Sequence, residues 1–320
     1  ENETSADLAV KAAKRLLAEN SELKRDAIDF VLFCTQSPDY FLPTSACVIQ
    51  DRLGLPTSCG ALDFNLGCSG YVYGLSLAKG LLLGGIAKNI LLLTGETYSK
   101  FMHPKDKGNR TIFGDAGSAT LISSEGFAEI GNFSLGTDGR GAENLMVKSG
   151  GMRFREQIND LQFDENGNPR SSDCKSLICS LNRIPPDFRE QINDLQFEEN
   201  GNPRSSDYLY MNGSEIFNFT IDAVPPLIED TLAKNALTRE DVDGYVFHQA
   251  NKFMISFLRK KLKIAPEKFH MYMSEVGNTV SNTIPIVLTE KLNENALKGN
   301  IILAGFGVGY SWGGCALKLD

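Results

Sequence analysis

Apolar and polar residues follow two different periods along most of this 320-residue chain. Helical spacing, with apolar residues three or four positions apart, predicts helices at 7–19, 45–53, 72–83, 216–234 and 252–263. Short apolar runs predict buried strands at 28–34, 61–66, 89–94, 244–247, 300–304 and 314–319. Strands and helices alternate, which predicts an α/β fold with a largely parallel sheet.

Two distant segments resemble each other. Arg25–Cys34 reads RDAIDFVLFC and Arg239–His248 reads REDVDGYVFH, with an acidic residue, a β-branched residue, Asp and Phe at equal offsets. Each follows one predicted helix and precedes another. We therefore expect two related βα halves, at 1–150 and 208–320, packed on each other.

A second repeat separates these halves. The segment 154–173 recurs at 188–207 with only Asp164 replaced by Glu198. Divergent structural repeats rarely stay so similar, so the pattern indicates a recent duplication or an artefact of the sequence. The segment is rich in Asn, Gly and Ser, which predicts a polar surface insertion at 151–207 without a catalytic role.

Composition and charge narrow the function classes. A net charge of −8 argues against a general nucleic-acid binder, which needs a basic surface. No apolar run is long enough to span a membrane, and no leader-like segment opens the chain. Seven cysteines without a CxxC pair predict neither a disulfide framework nor a zinc site, so we expect a reducing cytoplasm and no bound metal.

Cys68 is the first candidate for chemistry. It follows a predicted strand and opens a predicted helix, among Gly67, Ser69 and Gly70. The unpaired N–H groups and dipoles of a helix start favour thiolate, the form that accepts an acyl group from a thioester. A small buried cysteine at a tight turn is the alternative.

His248 and Asn278 are the next candidates. His248 ends the strand GYVF, where a neutral imidazole can donate to a developing enolate oxygen or move a proton. Asn278 lies in EVGNTVSNT, and its amide can stabilise an oxyanion without bringing a charge. A structural histidine and a Gly-Asn turn remain open as alternatives.

Gly305–Gly314, which reads GFGVGYSWGG, is dense in glycine and follows an apolar strand. It lacks the Lys and Ser/Thr spacing of a phosphate-binding loop. The stretch predicts a tight turn that brings backbone N–H groups close to a reacting centre, a β-hairpin turn, or both.

Taken together, these segments resemble the β-ketoacyl-acyl-carrier-protein synthase III family of thiolase-like condensing enzymes. The matching stretches, in the family's order, are PTSACVIQDRLG, DFNLGCSGYVYGLSLAKG, HPKDKGNRTIFGDAGSATL, HQANKFMISFLRKKL, EVGNTVSNTIPIVL and GFGVGYSWGGCAL. The resemblance implies a five-layered α-β-α-β-α thiolase-like fold, a homodimer, and no cofactor beyond coenzyme A and phosphopantetheine thioesters as substrates. Relative to the family, the first N-terminal strand is missing.

The resemblance also implies roles for single residues. Cys68 matches the acyl-accepting nucleophile, and His248 and Asn278 match the pair that stabilises the enolate of the decarboxylating malonyl unit. The backbone N–H groups of Cys68 and Val308 match the oxyanion hole. The reaction implied is condensation of an acyl-CoA with malonyl-acyl carrier protein, which initiates fatty acid or related acyl-chain synthesis.

The resemblance also implies which residues contact the substrates. Leu42 matches a position that reaches the partner subunit's acyl pocket, and Lys107 matches a cationic residue near the coenzyme A entrance. Phe253 stands at the position of a carrier-docking arginine, with Lys252 beside it. The run Arg259–Lys263 is cationic enough to attract an acidic carrier protein, or is a solvated helix face.

Two alternatives to condensation stay open at this point. The same fold and Cys68 could transfer the acyl group to an oxygen or nitrogen acceptor. The chain could also be a non-catalytic subunit that binds acyl chains. Release of CO₂ and acylation of Cys68 distinguish the three.

Overall fold

The structure is a computed structural model that describes residues 2–149, 196–197, 203–204 and 208–320. The predicted insertion at 151–207, with its repeat, otherwise lies outside the described residues. Nothing described bears on the predicted boundaries of the two halves, which stay predictions.

In the part of the chain that the structure describes, six α-helices form where the apolar spacing and the capping residues allow. They are α1 (Ser5–Glu19), α2 (Ser45–Leu53), α3 (Gly70–Leu83), α4 (Gly213–Lys234), α5 (Lys252–Lys261) and α6 (Thr283–Asn293). Thr4 and Asp7 form a reciprocal capping box that starts α1. Gly54, in the left-handed region, ends α2. All five predicted helices are present, and the sequence prediction missed α6.

Thirteen strands occur within the described residues. They are β1 (Phe30–Cys34), β2 (Gly60–Phe64), β3 (Asn89–Glu96), β4 (Ala116–Ser123), β5 (Ala128–Thr137), β6 (Leu145–Met146), β7 (Gln196–Phe197), β8 (Pro203–Arg204), β9 (Tyr210–Met211), β10 (Gly244–Phe247), β11 (Phe269–His270), β12 (Gly299–Gly307) and β13 (Ser311–Leu319). The six predicted strands are all among them, with shifted ends.

Two sheets share one pattern. The N-sheet has the order β2-β1-β3-β4, and the C-sheet has the order β11-β10-β12-β13-β5. In each, the second strand in this order, β1 or β10, pairs in parallel with both neighbours, and the fourth strand pairs antiparallel with the third. Because β1 and β10 carry the two similar segments, the structure confirms that the fold is built of two related halves.

The strand β5 departs from this symmetry. It belongs to the first half of the chain but pairs antiparallel with β13, at the edge of the C-sheet. The register shifts between Cys315 and Leu317, which marks a bulge. Through this strand the first half of the chain completes the sheet of the second.

The elements stack in five layers, as the resemblance implied. Helices α1 and α2 cover the outer face of the N-sheet, and α4 covers the outer face of the C-sheet, with α5 packed against α4. Helices α3 and α6 contact both sheets and form the middle layer. Along β1, Leu32 packs into the apolar cluster formed with α3 and α6 in the middle layer. Val31 and Phe33 point to the other face of the sheet and pack beneath α1 and α2. Burial on both faces explains the continuous apolar runs.

None of the helices within the described ranges is long and apolar enough to cross a membrane. Those ranges also contain no group of three or more His, Cys, Asp or Glu side chains arranged to hold a metal ion.

Candidate active site

Cys68 lies in the turn between β2 and α3, where only 5% of the residue is exposed. The Gly70 N–H donates to the Gly67 carbonyl across this turn at 2.8 Å. The next side chain, Ser69, pairs its Oγ with Ser311 Oγ at 2.7 Å, which ties the turn to the start of β13. The sequence therefore places the cysteine at a helix start, and contacts from the second half of the chain fix it there.

The end of β12 packs directly on this turn. A Cβ atom at Gly305 would lie 2.8 Å from the Cys68 carbonyl oxygen and 2.8 Å from Ser69 Cα. A Cβ atom at Gly307 would lie 2.8 Å from Cys68 Sγ. The stretch after the apolar strand is therefore both a hairpin turn and a close backbone approach to the thiol, and these two glycines make that approach sterically possible.

The free thiol of Cys68 is neutral. Burial raises its pKa to about 12, hydrogen bonding by the Val308 backbone lowers it, and the charge of Glu96 raises it again. A hydrogen bond from the backbone of Cys68 itself also lowers the pKa. The expectation that the helix start favours the thiolate is therefore wrong for the substrate-free thiol, because desolvation outweighs the N–H groups.

His248 follows β10 and is 1% exposed. Its backbone N–H donates to the Ala304 carbonyl at 2.7 Å, which fixes it beside β12. Nδ1 lies 2.8 Å from Thr283 Oγ1, so Nε2 is the ring nitrogen left for a substrate. Burial lowers the pKa of His248 to about 3, while a hydrogen bond to the Val280 backbone acts in the opposite direction. The imidazole is therefore neutral at physiological pH.

Asn278 is held on both sides by backbone contacts. Its N–H donates to the Ile112 carbonyl at 2.9 Å, and its own carbonyl accepts from the Gly114 N–H at 2.9 Å. The side-chain Oδ1 accepts from the Val280 N–H at 2.9 Å. Because the amide oxygen is occupied, Nδ2 is the group that remains to donate to a ligand.

One cavity brings the predicted catalytic residues together. Cys68, His248, Asn278 and Val308 all line it, although they come from four separate segments of the chain. A larger, more open surface cleft lies against α4 and β5, and none of these four residues lines it.

The predicted substrate contacts lie outside this cavity lining. Leu42 is 85% exposed in the loop after β1, and Lys107 is exposed before a short turn at 109–111. Lys252 and Phe253 begin α5, and Phe253 is 70% exposed. Their predicted roles therefore depend on partners beyond this chain and stay predictions.

Other lining residues were not predicted from the sequence. The wall is largely apolar and includes Tyr98, Ile112, Phe113, Leu145, Met211, Ile216, Met254 and Phe306. Asn251, also in the lining, caps α5 by accepting from the Met254 N–H at 2.8 Å. Its capping position in HQAN was a usable signal, whereas the apolar residues carry no mark that separates them from core.

A cysteine at the start of a central helix, between two sheets of matching order, is typical of the thiolase-fold condensing enzymes. Comparison with known proteins identifies one family within this class. The family model for 3-oxoacyl-(acyl-carrier-protein) synthase III matches residues 62–139, and the family model for the C-terminal part of that enzyme matches residues 232–319. The chain belongs to the β-ketoacyl-acyl-carrier-protein synthase III family, whose members are acyl-transferring condensing enzymes.

Individual relatives agree along nearly the whole chain. It is 34% identical to the beta-ketoacyl-(acyl-carrier-protein) synthase III of Clostridium perfringens, covering 99% of this chain and 86% of that protein. A solved 3-oxoacyl-(acyl-carrier-protein) synthase III, 46% identical, superposes with a TM-score of 0.84 over 99% of this chain and 86% of that one. The Burkholderia xenovorans synthase is 37% identical, with a TM-score of 0.80 over 100% and 81% of the two chains.

Proposed function

We propose that this protein condenses an acyl-CoA with malonyl-acyl carrier protein, with loss of CO₂, to give the β-ketoacyl product that initiates fatty acid synthesis. The observation that carries the proposal is the shared cavity of Cys68, His248 and Asn278. A thiol, a neutral imidazole and an amide donor around one space are the groups that an acyl-cysteine intermediate and an enolate require.

The first half-reaction loads the enzyme. Cys68 Sγ attacks the thioester carbonyl of acyl-CoA, a new C–S bond forms, and the bond to coenzyme A breaks. The proton of the neutral thiol passes to the departing coenzyme A thiolate, which leaves as the free thiol. The backbone N–H groups of Cys68 and Val308 stabilise the oxyanion that forms during the attack.

The second half-reaction makes the carbon–carbon bond. The malonyl thioester loses CO₂, and the electron pair of the broken bond moves onto the thioester oxygen as an enolate. His248 and Asn278 donate to that oxygen without adding a fixed charge. The enolate carbon then attacks the acyl carbon, the bond to Cys68 breaks, and the released thiolate takes up a proton.

The partners follow from this chemistry. The substrates bring coenzyme A and phosphopantetheine with them, so the reaction needs no further cofactor or metal. Lys107 is an exposed cation suited to coenzyme A phosphates. Lys252 and the run Arg259–Lys263 offer positive charge to an acidic carrier protein, while exposed Phe253 adds an apolar contact.

The proposed assembly is a homodimer in the cytoplasm. Leu42 projects from the surface at 85% exposure, and Leu62 on the edge strand β2 is 47% exposed. Among the residues that the structure describes, β2 has no partner on its outer side, and this open edge and the exposed Leu42 both suit a second copy of the chain related by two-fold symmetry. A reducing compartment suits an enzyme whose nucleophile must stay a free thiol.

Acylation and decarboxylation are measured separately to test the proposal. Intact-mass spectrometry after exposure to a panel of acyl-CoAs should show one added acyl group, absent in Cys68→Ala. His248→Ala and Asn278→Ala should still acylate, but release of CO₂ from malonyl-carrier protein should fall by about 100-fold, as for loss of an oxyanion donor.

Each alternative predicts a different result. Acylation without any release of CO₂ by the wild type would favour transfer to an oxygen or nitrogen acceptor. The absence of acylation would favour a non-catalytic subunit. Loss of acylation with intact decarboxylation in His248→Ala or Asn278→Ala would contradict the roles proposed for these two residues.

A further inference from the structure

Glu96, the last residue of β3, is a fully buried acid that the proposed condensation does not use. Its carboxyl oxygens accept from the Gln36 N–H at 3.2 Å, from Ser37 Oγ at 3.1 Å and from Ser281 Oγ at 3.2 Å. A buried acid is costly unless its surroundings compensate, so the placement calls for a physical reason.

The carboxyl group joins the two halves of the fold. Ser37 lies just beyond β1, in the first half. Ser281 lies in the short turn Val280–Asn282 of the second half, which begins two residues after Asn278. Thr94 lies two residues earlier on β3, and its Oγ1 bonds Asn282 Oδ1 at 2.5 Å. The end of β3 therefore holds this turn at two points.

This turn is strained, and it positions both side chains that are proposed to bind the enolate. Val280 has φ of 57°, in the left-handed region that β-branched residues avoid. Its N–H holds Asn278 Oδ1. Thr283, the first residue of α6, follows this turn directly, and its Oγ1 contacts His248 Nδ1. A relaxed turn would move the amide donor and release the contact that orients the imidazole.

We propose that Glu96 is a positioning residue that, through Ser281, holds the strained turn so that the Asn278 amide points at the enolate oxygen. The inference rests on the proposed condensation and names a residue that acts on its second half-reaction. Glu96 contacts no reacting atom of the proposed condensation.

The consequence is selective. Attack by Cys68 uses the sulfur and the backbone N–H groups of Cys68 and Val308, none of which lies in the turn. Decarboxylation uses the amide that the turn carries. Loss of the Glu96 contact therefore slows decarboxylation much more than acylation, whereas a general loss of folding slows both together.

The experiment compares four variants with the wild type: Glu96→Ala, Glu96→Gln, Ser281→Ala and Ser37→Ala. For each folded protein, the acylation rate is followed by intact mass and the decarboxylation rate by CO₂ released from malonyl-carrier protein. Ser37→Ala is the matched control, because it removes a hydroxyl from the same carboxyl group on the side away from the turn.

Glu96→Ala and Ser281→Ala should lower the ratio of decarboxylation to acylation by about 10-fold to 100-fold, the cost expected of a donor displaced by a fraction of an ångström to an ångström. Glu96→Gln keeps the shape and an acceptor oxygen and should restore most of the ratio. Ser37→Ala should leave it unchanged. If Glu96→Ala does not fold, Ser281→Ala carries the test.

A wild-type ratio in Ser281→Ala, or an equal loss in Ser37→Ala, overturns the inference. So does a parallel fall of both rates in Glu96→Ala. These results leave the proposed function intact as long as the wild type releases CO₂. A wild type that acylates but releases no CO₂ overturns the proposed function itself.

Discussion

Three buried titratable side chains around the cavity are uncharged in the absence of substrate. Burial raises the pKa of Cys68 to about 12 and lowers the pKa of His248 to about 3. Burial also raises the pKa of Glu96 to about 8, and the Gln36, Ser37 and Ser281 donors only partly offset it. The negative charge that develops on a thiolate or an enolate is therefore met by oriented neutral donors, with no fixed cation among these three residues.

Glu96 is the member of this group whose charge changes closest to neutral pH. Below about pH 8 the carboxyl group holds its proton, and above that pH it becomes an anion. Asp115, Cys34, Cys68 and Tyr98 are the titratable groups that interact with it. A carboxylate there repels the charge that develops around Cys68, so the decarboxylation rate should fall as pH rises through about 8.

The rate of CO₂ release by pre-acylated enzyme, measured across this pH range, checks the prediction. Glu96→Gln cannot ionise and should lack the descending limb. Profiles that superimpose for the wild type and Glu96→Gln would assign the limb to another group.

The sequence predicted the polar residues of the candidate site better than the apolar wall around them. Cys68, His248 and Asn278 each stand in a short motif with a polar or nucleophilic side chain at an element end, and the structure brings all three to one cavity. Desolvation depends on the whole fold, so the neutral state of the thiol could not be predicted from its position before a helix. A role for Glu96 could not be predicted from the sequence, because a polar residue at the end of an apolar strand usually marks only where the strand reaches solvent.

At the scale of elements, the packing of α1 on the N-sheet depends on one close approach. A Cβ atom at Gly117 in β4 would lie 2.4 Å from the Leu8 carbonyl carbon and 2.7 Å from the Ala9 nitrogen, both backbone atoms of α1. Backbone atoms cannot move aside as a side chain can. The helix therefore lies on β4 only because this position has no side chain.

Gly117→Ala should lower the free energy of unfolding by about 1–3 kcal/mol, the usual cost of overpacking a core. Urea denaturation followed by circular dichroism measures the change. Gly126→Ala is the control, since a Cβ atom there meets nothing within 4 Å. Equal stability of the two variants would contradict the prediction.

Elements whose apolar residues follow one clear spacing were predicted from the sequence. The missed elements have an interrupted spacing or contain a residue that is unusual in that type of element. In β5, Ile130 and Phe133 are three residues apart, which breaks the alternation, and the bulge opposite Leu317 absorbs the extra residue. In α6, Pro285 within the first turn hides a helix that proline tolerates there. Helix α5 ends at Lys261, before the predicted 263, because Lys263 adopts a φ of 54°.

At the scale of the molecule, one exposed apolar projection suits the contact between two copies. Leu42 is 85% exposed, and Tyr40, 59% exposed, lies two residues before it. Leu42→Glu should weaken self-association, because a charge at the centre of an apolar contact loses its hydration. Sedimentation velocity measures the dimer fraction.

Phe127→Glu is the matched control, since Phe127 is 66% exposed in the loop between β4 and β5. It should leave the dimer fraction unchanged. A dimer that tolerates Leu42→Glu as well as Phe127→Glu would place the contact elsewhere on the surface.

The pairing of β5 with the C-sheet also affects how the chain folds during translation. A ribosome makes β5 long before β13, the strand that β5 pairs with. Through that interval the nascent polypeptide carries an unmatched strand edge, which other chains can capture. Synthesis of β13 is therefore the step that pairs this edge of β5 and protects it from other chains.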